Sequence, residues 1–355
     1  MRTRFLVVAL ATLAVAAVAP PIPIEQLPPV PAPLLSAQSW ILYDESSDIV
    51  LDSVDADVPR PMASTTKIMT ALLAIESGRM HETVTVSPQA AGVGEASIGL
   101  IAGERLPMAM LVNALMIRSG NDAATAVGEH LAGSVEGFVA MMNARAADMG
   151  LTSTSFVNPH GLDAEGHHSS PRDLLTLARV ALAQPELAEI ATTRRYAVTP
   201  APDGTVRVAE STNQLLETYR GTFGLKTGFT FQAGLVFVGG AERDGRRIWV
   251  VVMGSEGPGA HFADAAALLD HGFEDLRIVD TISRGTPFRL PTAEVDASIT
   301  AKARLHALAL VGVLAAAAPP AEEPVVAAPL PDVLIPDVPG PLEALGWLFD
   351  GASSG

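Results

Sequence analysis

The chain has 355 residues, enough for one large domain or two smaller ones with an ample core. Its formal net charge of −16 removes the basic footprint that a nucleic-acid partner requires. It contains no cysteine, which excludes disulfides, thiol catalysis and thiolate metal ligands.

Residues 1–19 open with Arg2 and Arg4, run apolar from Phe5 and end in small residues. That pattern reads as a signal peptide or an N-terminal anchor. A cut after Ala19 would leave Pro20 next to it and hinder the peptidase, so a later cut near Ala37 and retention as an anchor both stay open. Residues 20–38 form a proline-rich linker. Residues 40–44 and 49–52 predict a two-stranded hairpin. Helices are expected through most of 64–80, 105–118, 121–132 and 136–149. Another starts at Ser170, with the serine as cap and Pro171 in the first turn. Residues 234–238 and 248–253 predict strands around a turn through Arg243, Asp244 and Gly245. A closing helix is expected near 261–275. Strands at both ends with helices between them predict an α+β fold, an antiparallel sheet flanked by helices plus a mostly helical subdomain.

Past residue 278 the pattern weakens. Residues 279–318 read as a shortened or degenerate domain whose apolar run, 305–318, is shorter than a typical membrane span. Residues 319–355 form a tail rich in proline and alanine that carries acidic residues but no Lys or Arg. Within it, 342–349 offer a weak membrane anchor without the basic face that favours anionic lipid.

Lysine is scarce: Lys67, Lys226 and Lys302 stand against twenty arginines. Arginine keeps its proton in a protein, whereas a partly buried lysine can release one. Lys67 lies three residues after Ser64, so on a helix the amine and the hydroxyl share a face. A serine at a helix start can be simply a cap. It can also be a nucleophile, if a base takes its proton. Ser119 and Asn121 flank Gly120 in a turn between two helices, which is either an ordinary turn or a place where catalytic groups are presented. Lys226, Thr227 and Gly228 precede the strand hairpin, and the glycine lets another backbone approach. His160, His167 and His168 tempt a metal reading, but no His-Glu-x-x-His occurs, and they read as solvated loop histidines with no metal.

The order Ser-x-x-Lys, Ser-x-Asn, Lys-Thr-Gly resembles that of penicillin-binding proteins and serine β-lactamases. Further stretches at 61–67, 119–124, 138–143, 158–162 and 224–230 resemble the D-alanyl-D-alanine carboxypeptidases, low-molecular-mass penicillin-binding proteins, over roughly 39–276. The resemblance implies a penicillin-binding/β-lactamase-like transpeptidase fold with a catalytic domain at 39–278. It implies Ser64 as acylated nucleophile, Lys67 as base and Ser119 as proton relay. It implies Asn121 as clamp, Lys226 and Thr227 as carboxylate binders beside Gly228, and the backbone N–H groups of Ser64 and Phe229 as oxyanion hole. His261 stands where the family usually has a carboxylate-binding arginine. The implied activity is removal of the terminal D-Ala from peptidoglycan stem pentapeptides, with β-lactams as inhibitors and no cofactor. The implied location is the periplasm or the outer face of the cytoplasmic membrane, with a membrane surface as a further partner. A D,D-endopeptidase would use the same residues. A β-lactamase is disfavoured because 157–163 carry no Glu-x-x-Leu-Asn pattern, and a silent penicillin-binding protein is disfavoured by intact motifs.

Overall fold

A computed structural model describes residues 33–283, with side chains to residue 274. The expectations for 1–19, for most of the 20–38 linker, and for nearly all of 279–318 and 319–355 lie outside the described residues.

The elements in chain order begin with β1 (Ser39–Asp44) and β2 (Ile49–Val54), then a 3-10 turn at Ala63–Thr66 that runs into α1 (Lys67–Glu76). Next come β3 (Thr83–Thr85), α2 (Pro88–Ala91), β4 (Arg105–Pro107), α3 (Met108–Ile117), α4 (Asn121–Ala132) and α5 (Val135–Asp148). They are followed by α6 (Pro171–Leu182), α7 (Pro185–Thr192), β5 (Arg195–Val198), β6 (Arg207–Glu210) and α8 (Leu215–Thr218). The chain then forms β7 (Thr222–Thr230), β8 (Gly234–Arg243), β9 (Arg246–Ser255) and α9 (Ala260–Ser283). The main sheet is antiparallel in the order β2-β1-β9-β8-β7, and β3-β4 and β5-β6 form two small hairpins.

Strand β9 carries an unbroken apolar run because both of its faces are covered. Trp249, Val251 and Met253 pack into the core shared with α1, α3 and α4, and Phe223 meets Trp249 edge to face at 4.8 Å. Ile248, Val250 and Val252 point the other way, onto Phe262, Ala265, Leu268 and Leu269 of α9. The period of two thus splits one strand between two cores. Asp244 and Gly245 both have positive φ, 52° and 76°, the conformation a two-residue type I′ hairpin needs.

Caps set the helix starts. Ser134 accepts from Gly137 N ahead of α5, and Ser170 accepts from Asp173 N ahead of α6, with Pro171 in the first turn. Two expected helices begin later than their periodicity implied. The stretch 64–80 opens as a 3-10 turn, and 105–107 form β4, since Pro107 has no N–H for a helix interior. The closing helix continues to Ser283, beyond the expected 275. Strand β7 is the edge of the main sheet and bulges between Gly224 and Lys226. The bulge falls just before Lys226, where the extra residue re-aims the strand.

Candidate active site

The side chain of Lys67 is the hub. Residue 67 begins α1 and is fully buried. Its Nζ donates to Ser64 Oγ at 2.9 Å, Asn121 Oδ1 at 2.7 Å and the His160 carbonyl at 2.5 Å. Burial holds its pKa well below the usual lysine value, and the charge of Lys226 lowers it further; Asp122 and Glu95 pull the other way. Two of the three partners are carbonyl oxygens, which can only accept. A neutral Lys67 therefore spends its two N–H groups on Asn121 and His160. Its lone pair is left facing the Ser64 hydroxyl, the arrangement a base needs to take that proton.

Ser64 sits in the 3-10 turn, half-buried, one turn ahead of Lys67. The preceding residue, Ala63, has φ 47°, a left-handed conformation that costs an alanine about 1 kcal/mol. Ser119 (φ 70°) and Glu95 (φ 64°) are also left-handed. These three strained residues lie in the segments around Lys67, and strain of this kind concentrates at functional sites.

Asn121 opens α4, its backbone N donating to the Ala96 carbonyl at 2.7 Å and its Nδ2 to the Gly94 carbonyl at 3.0 Å. Those bonds leave Oδ1 for Lys67. Asp122, fully buried, accepts from Ile98 N, Leu100 N, Ala123 N and Ser97 Oγ. It thereby ties the 94–100 loop to the start of α4. Ser119 is buried, and its hydroxyl makes no hydrogen bond among the described residues. Asn121 thus meets Lys67 directly.

Strand β7 forms the opposite wall. A Cβ on Gly228 would come within 2.9 Å of both Ser64 N and Ala63 Cβ, so the glycine lets the strand lie against the Ser64 turn. Lys226 is buried, its Nζ donating to the Thr227 carbonyl at 3.0 Å, and burial lowers its pKa to about 7. Thr227 Oγ1 shares a 2.6 Å hydrogen bond with Thr212 Oγ1. Phe229 is about half exposed and meets the fully exposed Phe231 edge to face. The outer edge of β7 carries no strand of the main sheet, so its backbone can pair with an extended peptide.

His261 lies in the first turn of α9, buried against the ring of Phe262. Its Nδ1 has no partner among the described residues. Burial lowers its pKa to about 4, with Asp264 pulling the other way, so the ring is held neutral at pH 7 in the absence of a bound carboxylate. The loop histidines are less exposed than the sequence reading expected. His167 is buried and uses both ring nitrogens in hydrogen bonds, while His160 contributes a backbone carbonyl to Lys67. Burial forces both rings neutral, with pKa values near 4 and 3. Among the described residues, no group of three or more His, Asp or Glu could hold a metal ion.

Sequence reasoning missed several neighbours of the site. Thr212 carried no signal. The His160 carbonyl and Gly161 lay inside a stretch already marked by its resemblance. Gly161 (φ 97°) could not carry a Cβ without meeting the Ala63 carbonyl at 2.0 Å.

A half-buried serine bonded to a fully buried lysine, beside an antiparallel edge strand, defines a serine acyl-transfer enzyme. The family model for peptidase S11, D-alanyl-D-alanine carboxypeptidase, matches residues 28–257. The D-alanyl-D-alanine carboxypeptidase DacB2 of Mycobacterium tuberculosis is 36% identical over 249 residues, covering 69% of this chain and 84% of that protein. The D-alanyl-D-alanine carboxypeptidase DacF of Bacillus subtilis is 34% identical over 242 residues, covering 67% of this chain and 62% of that one. The crystal structure of the Streptomyces K15 DD-transpeptidase matches with a TM-score of 0.65 at 28% identity, over 69% of this chain and all of that one. The chain belongs to the D-alanyl-D-alanine carboxypeptidase family of serine peptidases.

Proposed function

We propose that the protein removes the terminal D-alanine from peptidoglycan stem pentapeptides through an ester on Ser64. The observation that carries this reading is the pair of carbonyl acceptors around Lys67 Nζ, from Asn121 and His160, which leaves the lone pair of the neutral amine for the Ser64 hydroxyl at 2.9 Å. Lys67 takes the hydroxyl proton as Oγ attacks the carbonyl of the D-Ala-D-Ala bond. The developing oxyanion is stabilised by the backbone N–H groups of Ser64 and Phe229. Ser119 gives its hydroxyl hydrogen to the leaving amine and takes the proton from Lys67, the amide C–N bond breaks, and D-alanine departs. Water then hydrolyses the ester, returning Ser64. Lys226 and Thr227 hold the terminal carboxylate and Asn121 aligns the acyl chain, which lies along the edge of β7. A β-lactam enters the same path and stays on Ser64. The basic and apolar pattern of residues 1–19 supports export, so the reaction takes place where peptidoglycan lies, in the periplasm or on the outer face of the cytoplasmic membrane.

Mass spectrometry of the protein after exposure to a penicillin, and of pentapeptide and cross-linked muropeptides after exposure to the protein, tests the reading. Wild type should carry the adduct on Ser64 and release D-alanine from the pentapeptide. Ser64→Ala should do neither while melting at the wild-type temperature. An adduct on Ser64→Ala would refute the assignment.

A further inference from the structure

The proposed reaction leaves His167 without a part, yet this buried side chain is bonded on both sides. Val157 N donates to its Nδ1 at 2.9 Å, so Nδ1 holds the lone pair and Nε2 carries the hydrogen. Nε2 meets Thr66 Oγ1 at 2.8 Å. The Thr66 hydroxyl in turn donates its single hydrogen to the Ala63 carbonyl at 2.8 Å. Each donor and acceptor along Val157, His167, Thr66 and Ala63 is thus used once, in one direction.

The end of this chain matters because of peptide planarity. The Ala63 carbonyl and the Ser64 N–H belong to one rigid peptide group and point in opposite directions. A bond that aims the carbonyl therefore aims the N–H. Ala63 has φ 47°, a conformation alanine leaves readily when nothing holds it. Gly161 packs on the same carbonyl, and Gly228 packs on the Ser64 nitrogen, so the peptide is confined from both sides, and the Thr66 hydroxyl is the side-chain group that hydrogen-bonds it among the described residues.

We propose that His167 is a positioning residue for acyl transfer: through Thr66 it orients the peptide joining Ala63 to Ser64, and so aims the Ser64 N–H at the oxyanion. The inference rests on the reading of Ser64 as nucleophile and oxyanion donor. It concerns the transition state rather than substrate binding, because the oxyanion forms only as the carbonyl is attacked.

The experiment measures acylation by a fluorescent penicillin, and kcat and KM on a D-Ala-D-Ala-terminated peptide, with the full-length protein. His167→Ala and Thr66→Val should each lower the acylation rate and kcat about ten- to a hundredfold, as expected for a misaimed catalytic group, with KM little changed. The double variant should be no slower than the slower single one, because both break one chain. His167→Gln keeps a donor for Thr66 and should recover part of the loss. His168→Ala, whose side chain makes no hydrogen bond among the described residues, should behave as wild type. A wild-type kcat in Thr66→Val, or losses that multiply in the double variant, would overturn the proposal. Should His167→Ala not fold, Thr66→Val and His167→Gln carry the same comparison. Labelling that persists in Ser64→Ala would instead sink the underlying site reading, so the two failures are separable.

Discussion

Asn121 Oδ1 accepts a 2.7 Å hydrogen bond from Lys67 Nζ across 54 positions of sequence. That bond joins α1 to α4 and, with the His160 carbonyl, leaves the one lone pair of neutral Lys67 facing Ser64. The chemistry of the site follows from it.

Replacing Lys67 by arginine should be nearly as damaging as replacing it by alanine. Arginine keeps the charge but cannot accept a proton. We expect both variants to acylate about 10²- to 10⁴-fold more slowly, the usual contribution of a general base. Stopped-flow acylation with a penicillin measures it; a Lys67→Arg rate near wild type would move the base elsewhere. Lys226 bears on the same group, because its charge lowers the Lys67 pKa. Lys226→Met should therefore raise that pKa and shift the acid limb of kcat/KM to higher pH.

Gly228 tests the fit between β7 and the nucleophile. A Cβ there would lie 2.9 Å from Ser64 N, so Gly228→Ala must push the strand or the turn aside. We expect acylation to fall by about tenfold or more, while urea denaturation shows a smaller loss than a core cavity causes. A wild-type acylation rate would mean that the two backbones are not matched to the reaction.

The buried neutral ring of His261 sets a pH dependence. The unfolded chain takes up its proton near pH 6.5, and the folded one only near 4. Between those values the unfolded state binds more protons, so stability falls as pH drops through the window and rises as pH returns. His160 and His167, with pKa values near 3 and 4, act in the same direction. His261→Phe removes one of these groups along with an unpartnered buried nitrogen. Its melting temperature should decline less steeply from pH 6.5 to 4.5 than that of wild type. An unchanged slope would show that His261 titrates normally in the folded protein.

Arg207 and Glu104 form a bidentate ion pair, 2.8 and 3.0 Å, with both side chains only 6% exposed. It ties β6 to the turn before β4. Arg207→Ala should cost about 3 kcal/mol in urea unfolding, because it leaves Glu104 buried and unpaired. Arg207→Met with Glu104→Leu should regain most of that loss, since two apolar groups need no partner. A double variant as unstable as the single one would show that packing, and not charge, is lost.

Much of this protein is legible along the chain. The apolar run of 248–253, the Asp244-Gly245 turn and the cap at Ser170 are local rules, read within a few residues, and they lead to the antiparallel sheet and its helices. The Ser-x-x-Lys spacing is equally local: three residues on a helical path bring an amine to a hydroxyl. Other features have no local signature. Short strands such as β3 and β5 carry too few residues for a period to show. The burial of His167 and His261 cannot be seen in a sequence, since a loop histidine looks the same whether water or Thr66 lies beside it. The three partners of Lys67 come from Ser64, Asn121 and His160, each on a different segment. Composition and spacing determined which residue types were available for acyl transfer. Only the tertiary structure decided that the lone pair of Lys67 faces the serine and which rings stay neutral, because hydrogen-bond direction and desolvation depend on neighbours that packing, and not sequence order, supplies.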